Sequence, residues 1–197
     1  ECAERTGTWA WKYPPIDGKS TLVQLRGDVR FYGVDFGYDP EKTVLHDISL
    51  YAEPGQKLAF VGATGAGKTT IQNLICRYFD IQKGQILIDG VDVKKIRIAD
   101  LRRNIGQMLQ DVFLFTGDVK SNIRLNEESI TDEQVIEAAK YVNADGFISQ
   151  LEGGYDHRVI ERGAAFSAGQ RQLLSFARTL AFSPSVLILD EATANID

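Results

Sequence analysis

The spacing of hydrophobic and polar positions divides the chain into a β-rich part followed by a helix-rich part. From Asp28 the apolar positions recur at short range in VRFYGVDFGY, VLHDISLYA and KLAFV, runs bounded by Gly, Pro and Asp, and this predicts strands. ILIDGVDV, Ile86 to Val93, predicts a hairpin, because Asp89-Gly90 suits a tight turn between β-branched runs. These elements read as antiparallel structure. Between them KTTIQNLICRYFD sets Ile71, Leu74, Ile75, Tyr78 and Phe79 at helical spacing, one apolar stripe. From about Ile98 to Leu151 helical patterns prevail, and Thr131 with Gln134 forms a capping box ahead of VIEAAKYV. A further helix follows FSAGQ, with Leu173, Leu174, Ala177 and Leu180 in its stripe, and VLIL, Val186 to Leu189, then reads as a buried parallel strand. No internal repeat or low-complexity tract interrupts this order.

Residues 1–27 lack a sustained period, are mixed in charge and carry Pro14 and Pro15, so they read as a linker or tail. Trp9 and Trp11 stand out there, as a docking point for a partner or as a cover for the chain's own flank. Composition narrows the ligands. With 22 basic against 27 acidic residues, the chain does not suit nucleic acid held by general phosphate neutralisation, so any anionic ligand must be gripped locally. The two cysteines, Cys2 and Cys76, lie in no CxxC or His-Cys grouping and read as free thiols in a reducing compartment. Apolar runs such as VLIL and VFLF fall far short of the roughly 18 residues of a membrane helix, which predicts a polypeptide that is soluble alone. A start at Glu1 without signal-peptide character predicts a piece of a longer chain.

GATGAGKT, Gly62 to Thr69, fits the GxxxxGK[ST] phosphate loop, with an apolar strand expected before it and an amphipathic helix after it. Such a loop works because glycines let successive backbone N–H groups turn inward onto phosphates while the helix start adds its positive end. The expected nucleotide contacts are Gly62, Ala63, Thr64, Gly65, Ala66, Gly67, Lys68, Thr69 and Thr70, with Lys68 reaching the outer phosphates and Thr69 placed to hold Mg²⁺. VLILDE is its natural companion. Asp190 would hold Mg²⁺ through water, and Glu191 would take a proton from, or orient, an attacking water, a role worth about 10² to 10⁴ in rate. A second phosphate-binding pattern lies in FSAGQ, where Ser167 and the backbone N–H of Gly169 fall at a helix start.

At these motifs the chain resembles the nucleotide-binding domain of ATP-binding cassette (ABC) transporters. FSAGQ looks like the family's LSGGQ signature, with Phe166 for Leu and Ala168 for the first Gly of the pair. The resemblance runs from about Asp28 to Asp197 and implies an α/β fold: a P-loop NTPase of ABC type, with a mixed core sheet, an antiparallel β subdomain and a helical subdomain that carries the signature. It also implies that Ser167, Ala168, Gly169 and Gln170 close on the ATP held by a partner domain, head to tail. Tyr38 matches the aromatic that stacks on adenine. Gln110 matches the glutamine that senses the γ-phosphate, joins the metal ligands and faces the membrane domain. ERG, Glu161 to Gly163, resembles a motif of exporters, and ANID resembles the loop that crosses the dimer interface, with Asp197 as its contact.

The implied catalytic set is therefore Glu191, Gln110 and Lys68, with Thr69, Gln110 and Asp190 around Mg²⁺ and ATP as the nucleotide. The implied partners are a second nucleotide-binding domain, in a homo- or heterodimer, and a transmembrane domain whose linker is residues 1–27. Residues 28–197 would be the ATP-binding domain, incomplete at its end, since the family's later γ-phosphate histidine is not matched by His46 or His157. The expected activity is transport-coupled ATP hydrolysis by an exporter motor at the cytoplasmic face of the cell membrane. A non-hydrolysing regulatory half of a heterodimer is the alternative, motivated by the altered signature and opposed by Glu191. A soluble ABC ATPase of DNA repair or chromosome organisation is disfavoured, because no sustained heptad run lies between Gln110 and Phe166. A phosphoryl-transferring kinase would leave FSAGQ and Tyr38 unexplained.

Overall fold

The structure, a computed structural model, describes residues 10–12, 22–39, 41–108, 112–125 and 127–190. Contacts group the chain into two compact units, Glu1–Arg102 and Arg103–Asp197. Trp9, Cys2, Gln110, Glu191, the ANID loop and Asp197, for which the sequence carries expectations, lie outside the described residues, as does the side chain of Glu161.

In the first unit, β1 (Ala10–Lys12) and β2 (Leu22–Gln24) form a short antiparallel pair inside the segment expected to be irregular. Trp11 explains it: the indole is buried, and burying so large an apolar group offsets the ordering of the few residues that carry it. The main sheet has the order β4-β3-β5-β6, with β3 (Val29–Phe36), β4 (Leu45–Ala52), β5 (Lys83–Ile88) and β6 (Val91–Asp92) all antiparallel. Val29, Phe31, Val34 and Phe36 of β3 point into the core, and the spacing between Phe31 and Val34 is three rather than two because a bulge shifts the register there. Gly33 occupies the bulge at φ 52°, and Gly84 of the facing strand passes so close that a Cβ would stand 2.4 Å from Gly33 O. Only glycine fits position 84. The expected hairpin is present: Asp89 (φ 50°) and Gly90 (φ 77°) both take the left-handed conformation that a two-residue turn between β5 and β6 requires.

Helix α1 (Lys68–Ile75) follows the phosphate loop and buries Ile71, Leu74 and Ile75, as the stripe predicts. It ends earlier than the stripe does. Arg77 turns to φ 49° and its guanidinium donates to the carbonyls of Val93, Lys94 and Ile96, so Tyr78 and Phe79 lie beyond the helix and are exposed. KLAFV also departs from expectation. Residues 56–63 carry no regular structure, and Val61 is 95% exposed. Strand propensity supplies no partner, and without a ladder neighbour an apolar run is not a strand. Helix α2 (Ile98–Arg103) is anchored by buried Leu101.

The second unit is helical around one parallel strand pair. β7 (Ile105–Met108) lies parallel to β10 (Val186–Leu189), and β8 (Gly117–Asp118) pairs with β9 (Arg158–Val159). VLIL is thus a parallel strand as expected, but it is not buried throughout: Ile188 is inside while Leu187 and Leu189 are exposed, since β7 is its only neighbour among the described strands. Helices α3 (Val119–Arg124), α4 (Asp132–Tyr141), α5 (Asp145–Ile148) and α6 (Ala168–Ala181) enclose a core centred on Leu114, Ile123, Val135, Ile148, Phe166 and Leu174. The Thr131–Gln134 capping box is formed as expected. No helix among the described residues is long and apolar enough to cross a membrane.

Leu174 is fully buried in the stripe of α6. Leu174→Ala should lower unfolding stability by about 2–5 kcal/mol, the range for a leucine deleted from a packed core. Urea denaturation followed by circular dichroism at 222 nm checks this, and a loss within error of zero would mean that α6 is not packed as described.

Candidate functional site

The phosphate loop owes its shape to glycines at positions where side chains are strained. Gly65 and Gly67 stand at φ 84° and 90°, and a Cβ on Gly67 would also come 2.6 Å from Leu45 Cδ2. Ala66 N donates to Ala63 O at 3.1 Å, closing a turn, and Ile71 N donates to Gly67 O at 3.0 Å as α1 begins. Lys68 folds its charge over this turn, its Nζ donating to Gly62 O (2.7 Å) and Ala63 O (3.0 Å). Thr69 is exposed on the first turn of α1, and Thr70 beside it is buried.

Capping distinguishes this helix from α3, α4 and α6. Helices α3, α4 and α6 each start with a capping box, from Asp118, Thr131 and Ser167. Helix α1 starts at Gly67 with no side-chain cap and no acidic residue in its first turn. Its first N–H donors are therefore left to a ligand or to solvent, and the positive end of the helix dipole is not offset by any carboxylate of that turn. This is the electrostatic signature of an anion site.

Tyr38 follows β3 and remains 52% exposed, with Phe36 and Phe79 each meeting it nearly at right angles at 5.0 Å between ring centroids. Gly62 to Thr70 and Tyr38 all belong to the first unit. Asp190, in the second, sits just past the carboxyl end of β10, where its N–H donates to Met108 O at 3.2 Å and extends the parallel pair by one residue. Ligands in open α/β sheets bind at that edge.

The FSAGQ segment is well defined. Phe166 is buried against the rings of Phe147 and His157, and Arg171 Nη1 donates to Phe166 O at 2.5 Å, so an aromatic in the place of leucine anchors the start of α6. Ser167 Oγ accepts from Gln170 N (3.1 Å) while Gln170 Oε1 accepts from Ser167 N (2.9 Å). Ser167 thus caps its helix, and because its oxygen serves there as an acceptor, its own proton remains available for donation. Ala168 and Gly169 occupy the first helical positions, with Ala168 exposed.

Sequence reasoning passed over Arg178. It is half-buried on α6, and its donors go to neutral oxygens: Nε to Asn122 O (2.8 Å), Nη1 to Phe113 O (3.0 Å) and Nη2 to Asn122 Oδ1 (3.3 Å). Burial holds this guanidinium below its ordinary pKa. Asn122 in turn brackets Phe115, accepting from its N–H at 2.7 Å and donating to its carbonyl at 2.8 Å. Together they fix the segment carrying exposed Phe113 and Phe115, which follows Gln110 in the sequence. The available signal was an arginine four residues after Leu174, inside the apolar stripe of α6.

Mg²⁺ favours hard oxygen donors and binds through one or two protein ligands plus phosphate oxygens and water. Thr69 hydroxyl and Asp190 carboxylate are donors of that kind, and such a site does not require a cluster of three or more His, Cys, Asp or Glu side chains, of which none is found among the described residues. Each donor by itself suits the ion.

A profile of the family described as ABC transporter matches residues 45–194. A putative ABC transporter ATP-binding protein, exp8, of Streptococcus pneumoniae is 49% identical over 94% of this chain and 32% of its own length. A probable multidrug resistance ABC transporter ATP-binding/permease protein, YheH, of Bacillus subtilis is 46% identical over 91% of this chain and 27% of its own. Among solved structures, a bacterial Atm1-family ABC exporter with ATP bound superposes with a TM-score of 0.80 at 39% identity, covering 87% of this chain and 30% of that one. The chain spans about a third of the length of these relatives. With the family's profile covering most of its residues, the chain belongs to the ABC transporter family.

Proposed function

We propose that this chain is the ATP-binding and hydrolysing motor of an ABC exporter, working at the cytoplasmic face of a membrane. The observation that carries the reading is the uncapped, acid-free N-terminus of α1 behind a glycine loop that bears Lys68. Backbone N–H groups of Gly62 to Thr70 and the Lys68 ammonium bind the ATP phosphates, and Tyr38 stacks on the adenine. Thr69 and Asp190 hold Mg²⁺, with Gln110 joining them at the γ-phosphate. Held there, Mg²⁺ would supply positive charge to offset what develops on the phosphates. Glu191 orients the attacking water and receives its proton.

Ser167 and Gly169, with Ala168 and Gln170 around them, serve the ATP of a second domain, homo- or heterodimeric, and Asp197 contacts it from the following loop. Moving a two-state equilibrium from mostly open to mostly closed takes about 5.5 kcal/mol of differential binding. One helix end supplies only about 0.3–2 kcal/mol. Closure therefore needs several contacts on each of two nucleotides, and hydrolysis reopens the pair by removing the phosphate that joins them. Residues 1–27 connect this motor to a transmembrane domain, and residues 28–197 are its ATP-binding part.

Several outcomes test this. Mg·ATP at a hundred times its Kd should stabilise the chain by about 2.7 kcal/mol in a thermal melt, and Lys68→Ala should remove most of that gain. Protection that survives Lys68→Ala would place the nucleotide elsewhere. In the complete gene product, Glu191→Gln should slow hydrolysis by about 10² to 10⁴ while leaving ATP affinity unchanged. Unaltered turnover would instead favour the non-hydrolysing half of a heterodimer. Ser167→Asp separates the helix cap from the partner's phosphate: aspartate caps as well as serine, so the melting temperature should hold. Self-association induced by Mg·ATP, read by sedimentation velocity, should disappear because a carboxylate would then face phosphate. Association that persists would reduce Ser167 to a cap.

A further inference from the structure

Tyr38 does more in this structure than follow β3. Its Oη accepts a hydrogen bond from Asn73 Nδ2 at 3.2 Å and donates one to Thr70 Oγ1 at 3.2 Å. Thr70 and Asn73 are three apart on α1 and so share one face of it. The three side chains form a directed relay, amide to phenol to hydroxyl, in which each oxygen has a defined role. With the Asn73 amide donating, the phenol's own proton is free to turn to Thr70. Phe36 and Phe79 meet the ring at 83° and 87°, so its plane is set by packing while the relay sets its tip.

The consequence is a mechanical tie between two parts of the nucleotide site. The ring that stacks on the base is bonded to the same helical turn that presents Lys68 and Thr69 to the phosphates. A half-exposed tyrosine with a free hydroxyl would have to be ordered when the base arrives, and ordering one rotamer-rich side chain weakens binding by about two- to tenfold. Here that ordering is already done.

We propose that Asn73 is a positioning residue for base recognition: by donating to the Tyr38 hydroxyl it completes a relay to Thr70 that holds the ring ready for adenine above the phosphate loop. The proposal rests on the reading of Tyr38 as the adenine-stacking residue and goes beyond it. Asn73 itself does not touch nucleotide. Its position is half-buried in mid-helix, where leucine has the better helix propensity, so Asn73→Leu removes the donor without weakening α1.

The test compares Mg·ATP with Mg·tripolyphosphate, which carries the phosphates without a base, by calorimetric titration of the chain. Asn73→Leu should weaken ATP binding by about two- to tenfold and leave tripolyphosphate within about twofold of wild type. Tyr38→Phe, which keeps the ring and deletes the hydroxyl, should show the same selective loss. The double variant should bind ATP no more weakly than the worse single, because both changes break one relay. ATP affinity unaltered in Asn73→Leu, equal losses for both ligands, or fully additive losses would each overturn the proposal. Failure of the underlying reading looks different: tripolyphosphate binding that is indifferent to Lys68→Ala, or Tyr38→Ala that spares ATP, would remove the phosphate or base assignment itself.

Discussion

The left-handed turn at Gly67 is the constraint on which the rest depends. It sets the first N–H groups of α1 facing outward from a glycine loop, with no serine, threonine or aspartate to satisfy them. A helix of only eight residues would ordinarily gain from such a cap, typically about 1 kcal/mol. Here the donors stay open to an anion or to solvent, and the Lys68 ammonium bonds the loop's own carbonyls. The neighbouring sheet enforces the shape, since Leu45 crowds the place a Cβ would take at position 67.

The signature helix solves the opposite problem. Ser167 and Gln170 satisfy each other's backbone donors, so the start of α6 is capped from within the chain and anchored by Phe166 in an aromatic contact. A capped helix end still carries a hydroxyl proton and the backbone donors of its first turn. A capping oxygen and an available hydroxyl proton therefore coexist at Ser167 rather than compete. Further along the same helix, Arg178 reaches Phe113 and Asn122, and so α6 also sets the backbone of the segment that follows Gln110. Its half-buried charge is dispersed over carbonyl and amide oxygens.

Much of this was legible in the order of residues. The phosphate loop, the Asp89-Gly90 hairpin and the Thr131–Gln134 capping box are encoded by neighbours a few positions apart, because dihedral preference and capping act over that range. The same locality explains the stripe of α6. Tyr78 and Phe79 were misread as helical because their spacing continued the stripe, whereas Arg77 found carbonyl partners some sixteen to nineteen residues away and broke the helix there. KLAFV and the two exposed leucines of VLIL were misread for a related reason: strand burial depends on which strand lies alongside, and composition carries no such information.

By itself, then, the amino-acid order determined the family, the phosphate loop, the acidic strand and the signature helix, since each is a contiguous pattern whose chemistry follows from spacing. Tertiary structure alone decided that α1 begins uncapped, that Trp11 is buried on a short strand pair, that Arg178 is a half-buried cation bonded to Asn122 and that Asn73 bonds the Tyr38 hydroxyl. Those facts join residues ten or more positions apart, or concern the lack of a local partner. Hydrogen bonds of that kind depend on where the sheet and helices bring side chains together, which no short-range pattern records.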